Sequence, residues 1–92
     1  MGEEMLFIVL GKFKSKPTKE EVNATNEYVK NLVKEGVVFK AMYWTLGQYD
    51  TIGIFEAPNE LMAMKAIIGV ADIADTETLT VVPRDEIAKT LD

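Results

Sequence analysis

The chain has 92 residues, 48% of them hydrophobic and 27% charged, a formal charge of −5, and neither histidine nor cysteine. That is the composition of one ordinary globular domain, small enough to bury only about 60–65% of the surface its unfolded chain exposes. The acidic balance argues against general nucleic-acid binding and against docking on an anionic membrane. The missing side chains exclude disulfides, Ser–His or Cys–His nucleophile systems and haem held by a proximal His or Cys.

The N-terminus, MGEEMLFIVLG, starts acidic where a secretory leader starts basic, and its apolar run Met5 to Leu10 is too short for a leader core or a membrane span. A cytoplasmic location is therefore the default expectation. Met5 to Phe13 is apolar on both parities, Leu6, Ile8 and Leu10 alternating with Phe7, Val9 and Phe13, which predicts a strand buried on both faces. Pro17 to Glu21 opens a helix, with Thr18 and Glu21 at capping-box spacing; Val22, Val29, Leu32 and Val33 form its inward stripe and Tyr28 its flank. Gly36 ends it, because glycine tolerates the left-handed backbone of a helix stop.

Val37 to Leu46 and Thr51 to Ala57 read as two strands of a hairpin closed by Gly47 to Asp50. Asn59 caps a second helix running to about Gly69 or Val70. It is apolar almost all round, through Leu61, Met62, Met64, Ile67 and Ile68, and is expected to be buried, in part against another copy of the chain. Asp75 to Val82 is the fourth strand, Pro83 ends it, and Arg84 to Leu91 has room for a short terminal helix.

The order β-α-β-β-α-β with right-handed crossovers gives an α+β, ferredoxin-like plait: an antiparallel sheet in the order 4-1-3-2 with both helices on one face. The helices leave one face of the sheet bare, yet the first strand is apolar on both. Such a face exceeds the roughly 300–600 Å² of contiguous apolar surface found on a typical monomer, and a second copy is the simplest cover. A standard interface hides about 800 Å² per partner, so a homodimer or higher homo-oligomer is expected.

The stretch YWTLGQYD, residues 43–50, followed by EAP and then ADTETL, resembles the GYD family, named for a glycine, a tyrosine and an aspartate that would here be Gly47, Tyr49 and Asp50. The resemblance covers nearly the whole chain. It implies a ferredoxin-like fold of the dimeric α+β barrel type and little about activity.

Chemistry must then be weighed residue by residue. Gly47 is read as a positive-φ turn residue. Asp50 is either a group that bonds a turn amide or, with Tyr49, an acid and a phenol aimed at a small ligand. Tyr43 and Trp44 are adjacent on a strand and must point to opposite faces. A three-residue loop, Gly47 to Tyr49, would pair Trp44 with Ile52 and Lys40 with Glu56; a four-residue loop would set Trp44 over Gly53. The first register is preferred because it accounts for four cross-strand pairs, Leu46–Asp50, Trp44–Ile52, Met42–Ile54 and the opposed charges of Lys40 and Glu56. It places Lys40, Trp44, Asp50 and Glu56 on the open face and Tyr43 in the core. The candidate ligand-binding set is therefore Lys40, Trp44, Tyr49, Asp50 and Glu56, with no catalytic residue assigned. The lysines at 12, 14, 16 and 19 form a basic cluster that reads as a solvated loop.

A zinc site would have to be built from carboxylates alone, so neither metal nor cofactor is expected. Two functions remain. One is a homo-oligomeric, non-catalytic module that binds a small ligand or a protein partner. The other is a cofactor-independent enzyme using tyrosine and carboxylate groups in a cavity between subunits.

Overall fold

A computed structural model describes residues 4–91. Met1 to Glu3, on which the reading of the N-terminus partly rests, and Asp92 lie outside the described residues. The elements are β1 (Met5–Phe13), α1 (Lys19–Val33), β2 (Val38–Trp44), β3 (Thr51–Ala57), α2 (Glu60–Ile68), β4 (Ala74–Val81) and α3 (Arg84–Ala88). The sheet runs β2-β3-β1-β4 and is antiparallel throughout, which is the expected order read from the other edge.

The helix starts form as their residue types require. Thr18 Oγ1 accepts from the Glu21 amide at 3.0 Å while Glu21 Oε1 accepts from the Thr18 amide at 2.9 Å, completing the capping box. Asn59 Oδ1 accepts from the Met62 amide at 2.9 Å and starts α2. Gly36, at φ 93°, turns the chain from α1 toward β2.

The ladder sets side chains in rows across the sheet. On the helix side one row is Phe39, Phe55, Phe7 and Thr80, and its rings stack, with centroids 4.9 Å apart for Phe39–Phe55 and 5.3 Å for Phe7–Phe55. Leu32 of α1 and Ala63 and Ala66 of α2 close over this row, and together with Val37 and Ala57 they form the buried core. The small alanines let α2 approach the rings closely, which suits the dense packing of protein interiors.

The opposite face has rows Val38–Glu56–Leu6–Val81, Ala41–Ile54–Ile8–Leu79 and Tyr43–Ile52–Leu10–Glu77. Both large helices lie on the other side, so the six aliphatic residues Leu6, Ile8, Leu10, Ile52, Ile54 and Val81 are only half-buried by one another.

Three expectations need correction. Val33 lies outside the inward stripe and is exposed, because it follows the buried Leu32 around the helix by one position. The terminal helix closes at Ala88 and leaves Leu91 beyond it. The hairpin register also differs from the one preferred above. Thr45 N donates to Asp50 O at 2.8 Å, so the loop is Leu46 to Tyr49, and Trp44 lies opposite Thr51, Tyr43 opposite Ile52 and Met42 opposite Gly53. Trp44 is therefore on the helix side and Tyr43 on the open face, the reverse of the expected placement. The register shifts again between Phe39 and Ala41, leaving Lys40 as a bulge without a partner in the ladder.

Candidate functional site

The eight residues from Tyr43 to Asp50 lock the end of the sheet. Thr45 Oγ1 donates to Tyr49 O at 2.5 Å and Thr51 Oγ1 donates to Tyr43 O at 3.1 Å, so the hydroxyls at both shoulders hold the loop's own backbone. Gly47 sits at φ 111°, a conformation that L side chains rarely adopt.

Asp50 has a clear task. Its amide donates to Gly11 O at 2.8 Å, and its Oδ2 accepts from the Phe13 amide at 2.9 Å. The carboxylate therefore takes over the β1–β3 ladder where backbone pairing ends. Of the two readings of this residue, the structure supports the backbone-bonding one, although the amide it bonds belongs to β1 and not to the turn.

Tyr49 reaches across the end of β1 to β4, where its hydroxyl donates to Glu77 Oε1 at 2.9 Å. That hydrogen bond, then the Glu77 charge, then slight desolvation raise the phenol's pKa above its ordinary value. A phenol held protonated further into the alkaline range is poorly matched to proton transfer near neutrality.

Lys40 and Glu56 do meet, with Nζ–Oε1 at 3.6 Å, through the bulge instead of a regular cross-strand pair. They lie at the far end of β3 from Asp50; six strand residues at about 3.3 Å each separate Glu56 from Asp50 by roughly 20 Å. Trp44 is on the other face, edge-to-face with Phe13 at 5.5 Å. The five candidates thus form three separate features: an ion pair at one end, a Tyr49–Asp50 closure at the other, and an indole beneath the helices. The basic cluster is likewise dispersed and solvated, and Lys14 lies 3.9 Å from Asp75.

Among the described residues no group of three acidic side chains is placed to hold a metal ion. No helix of the described residues is long and apolar enough to cross a membrane.

One feature escaped sequence reasoning. Between the helices and the hairpin end of the sheet lies a cavity of about 110 Å³, floored by Val9, Phe13, Phe39 and Gly53, with Trp44 and Met42 at its edge on β2. The helix-side parity of Phe13 and of Gly53 in β3 was the available signal.

A protein-family model described as GYD domain matches residues 7–91, nearly the whole chain. No curated protein matches it.

Proposed function

The chain belongs to the GYD domain family, and from that premise and the bare sheet face we propose that it works as a homo-oligomeric binding module that takes a small ligand or protein partner, and not as a catalyst. The observation that carries the proposal is the open face. Three rows of side chains cross all four strands there, and seven of the twelve positions are Leu, Ile or Val of β1, β3 and β4 with neither α1 nor α2 over them. Tyr43, 60% exposed on an edge strand of that face, is a large amphipathic anchor of the kind enriched in interfaces. A second copy placed face to face covers both sheets at once, as a dimeric α+β barrel does.

The rival reading, a cofactor-independent enzyme, has less behind it. Its polar candidates do not converge, Asp50 is committed to the Phe13 amide, and the Tyr49 pKa moves away from neutrality.

Sedimentation at micromolar concentration tests the proposal. The unaltered chain is expected at no less than twice 10.3 kDa. Tyr43→Glu is expected to return it to a single chain without unfolding it, because the side chain is already exposed in the monomer. A monomeric mass for the unaltered protein at that concentration sinks the oligomer.

A further inference from the structure

We propose that the helix-side cavity is a binding site for one uncharged aromatic ring that carries a hydrogen-bond donor, phenol being the simplest member of that class. The proposal deepens the binding-module reading by naming a ligand class and a place, and it does not depend on the dimer.

The cavity has a cause in the sequence. The row Phe39–Phe55–Phe7 fills the space beneath the helices at one end of the sheet. At the hairpin end the corresponding helix-side positions are Gly53 in one row and Thr51 with Gly11 in the next. These small residues leave the layer unfilled. A Cβ on Gly53 would stand 3.0 Å from Val9 Cγ1, so even an alanine there would press on the cavity floor. The floor of the hollow is therefore set by regular strand positions, and Val70 and Ile73 of the connection between α2 and β4 close one side of it.

Its walls define the ligand. Among the described residues no Asp, Glu, Lys or Arg lines it, so a charged guest would be desolvated without a counter-charge, which is strongly unfavourable. Phe13, Phe39, Tyr28 and Trp44 present four aromatic rings, surfaces that pair well with the edge or face of another ring. The volume of about 110 Å³ is of the order of the ~150 Å³ apolar cavity that accepts benzene, so it suits a single ring.

The hydroxyls supply the polar preference. Thr25 Oγ1 donates to Glu21 O at 2.9 Å, Thr51 Oγ1 to Tyr43 O at 3.1 Å and Tyr28 Oη to Lys65 O at 2.7 Å. These three of the four lining hydroxyls have their protons committed to backbone carbonyls and offer lone pairs only, while Thr76, the fourth, can donate or accept. A guest O–H finds an acceptor among them. Trp44, the chain's single tryptophan, is 65% exposed at the edge and reports on occupancy.

The experiment titrates phenol, with benzoate as the charged comparison, and follows Trp44 emission excited beyond the absorption of both. Methyl NMR on the same samples locates the site. Saturable phenol binding with shifts confined to Val29, Ile67, Val70 and Ile73 supports the proposal. So does an Ala66→Leu variant, filled from the roof, that binds phenol about tenfold or more weakly. Shifts at Ile8, Ile52 and Ile54 instead would move the ligand to the open face and overturn it. Benzoate binding as tightly as phenol overturns it as well, as does the absence of saturation. Should Ala66→Leu fail to fold, the methyl shifts of the unaltered protein still decide. Sedimentation reads the oligomer separately, so the two proposals fail independently.

Discussion

Asp50 offers the sharpest test of what this motif does. Its Oδ2 accepts the Phe13 amide at 2.9 Å in a half-buried position, and its own amide and carbonyl bond Gly11 and Thr45. Asp50→Ala removes the carboxylate and leaves the Phe13 N–H at the strand end without its acceptor. A hydrogen bond to a charged group contributes about 1.5–3 kcal/mol, and a fully buried orphan would push the loss to the upper end. Because the site is only half-buried and water can reach the amide, the lower half of that range, roughly 1.5–2 kcal/mol, is expected. Asp50→Asn retains an amide oxygen that can accept from Phe13, and loses only the charge assistance, about 1 kcal/mol or less. Urea unfolding of the three proteins, at one concentration because oligomerisation shifts apparent stability, gives both differences. The order wild type, Asn, Ala is the signature of a backbone acceptor. Equal midpoints for all three would refute the reasoning, and so would Asn as damaging as Ala, since the bond would then depend on charge alone.

Other positions answer to different physics. At Gly47 a Cβ meets nothing within 4 Å, so the expected loss of about 1–3 kcal/mol in Gly47→Val is purely that of its 111° φ; an unchanged urea midpoint would mean the loop rebuilds freely. Phe55, fully buried in the middle of the stacked row, is expected to lose about 3–5 kcal/mol on truncation to alanine, and a loss under about 1 kcal/mol would mean the row collapses to fill the gap. Tyr49 has a folded pKa raised above its unfolded value, so the stability it lends is fully present below about pH 10 and is lost as pH rises through the folded pKa. Glu77→Gln is expected to lower the Tyr49 midpoint measured by tyrosine ring-carbon NMR, and an unmoved midpoint would show that Glu77 is not the cause.

Most of the architecture was legible because it rests on local rules. The Thr18–Glu21 box, the Asn59 cap and the Gly36 turn each need only residues within four positions of one another, and all three are present. The sheet order followed from element order and crossover handedness alone. The partners of the motif's side chains were not legible in the same way. Tyr49 meets Glu77 and Asp50 meets Phe13 across 28 and 37 residues of sequence, and nothing local encodes which strand end a loop side chain will reach. The apolarity of α2 was plain, but Leu61, Met64 and Ile68 are exposed on this chain, so its outer stripe is not used by the monomer core.

The misplacement of Tyr43 and Trp44 has a single origin, because a strand's side chains alternate with period two and one added residue exchanges its faces. Two residues were added relative to the regular hairpin. The loop is four residues long, Leu46 to Tyr49, which shifts Ala41 to Trp44 by one position against β3 and inverts their faces. Lys40 is then extruded as a bulge, which shifts the strand again and restores the original faces of Val38 and Phe39. That is why Phe39 stacks on Phe55, as a regular pairing requires, while the indole two turns of the pleat away lies under the helices. It is also why Lys40 still meets Glu56 although the ladder does not pair them. The inverted register of Ala41 to Trp44 has a consequence for function. It directs Tyr43 to the bare face, where a second copy would bury it, and Trp44 to the edge of the cavity, where a ligand would meet it. Strand alternation divides the aromatic pair, and the four-residue loop decides which of the two meets which of the binding surfaces proposed for this chain.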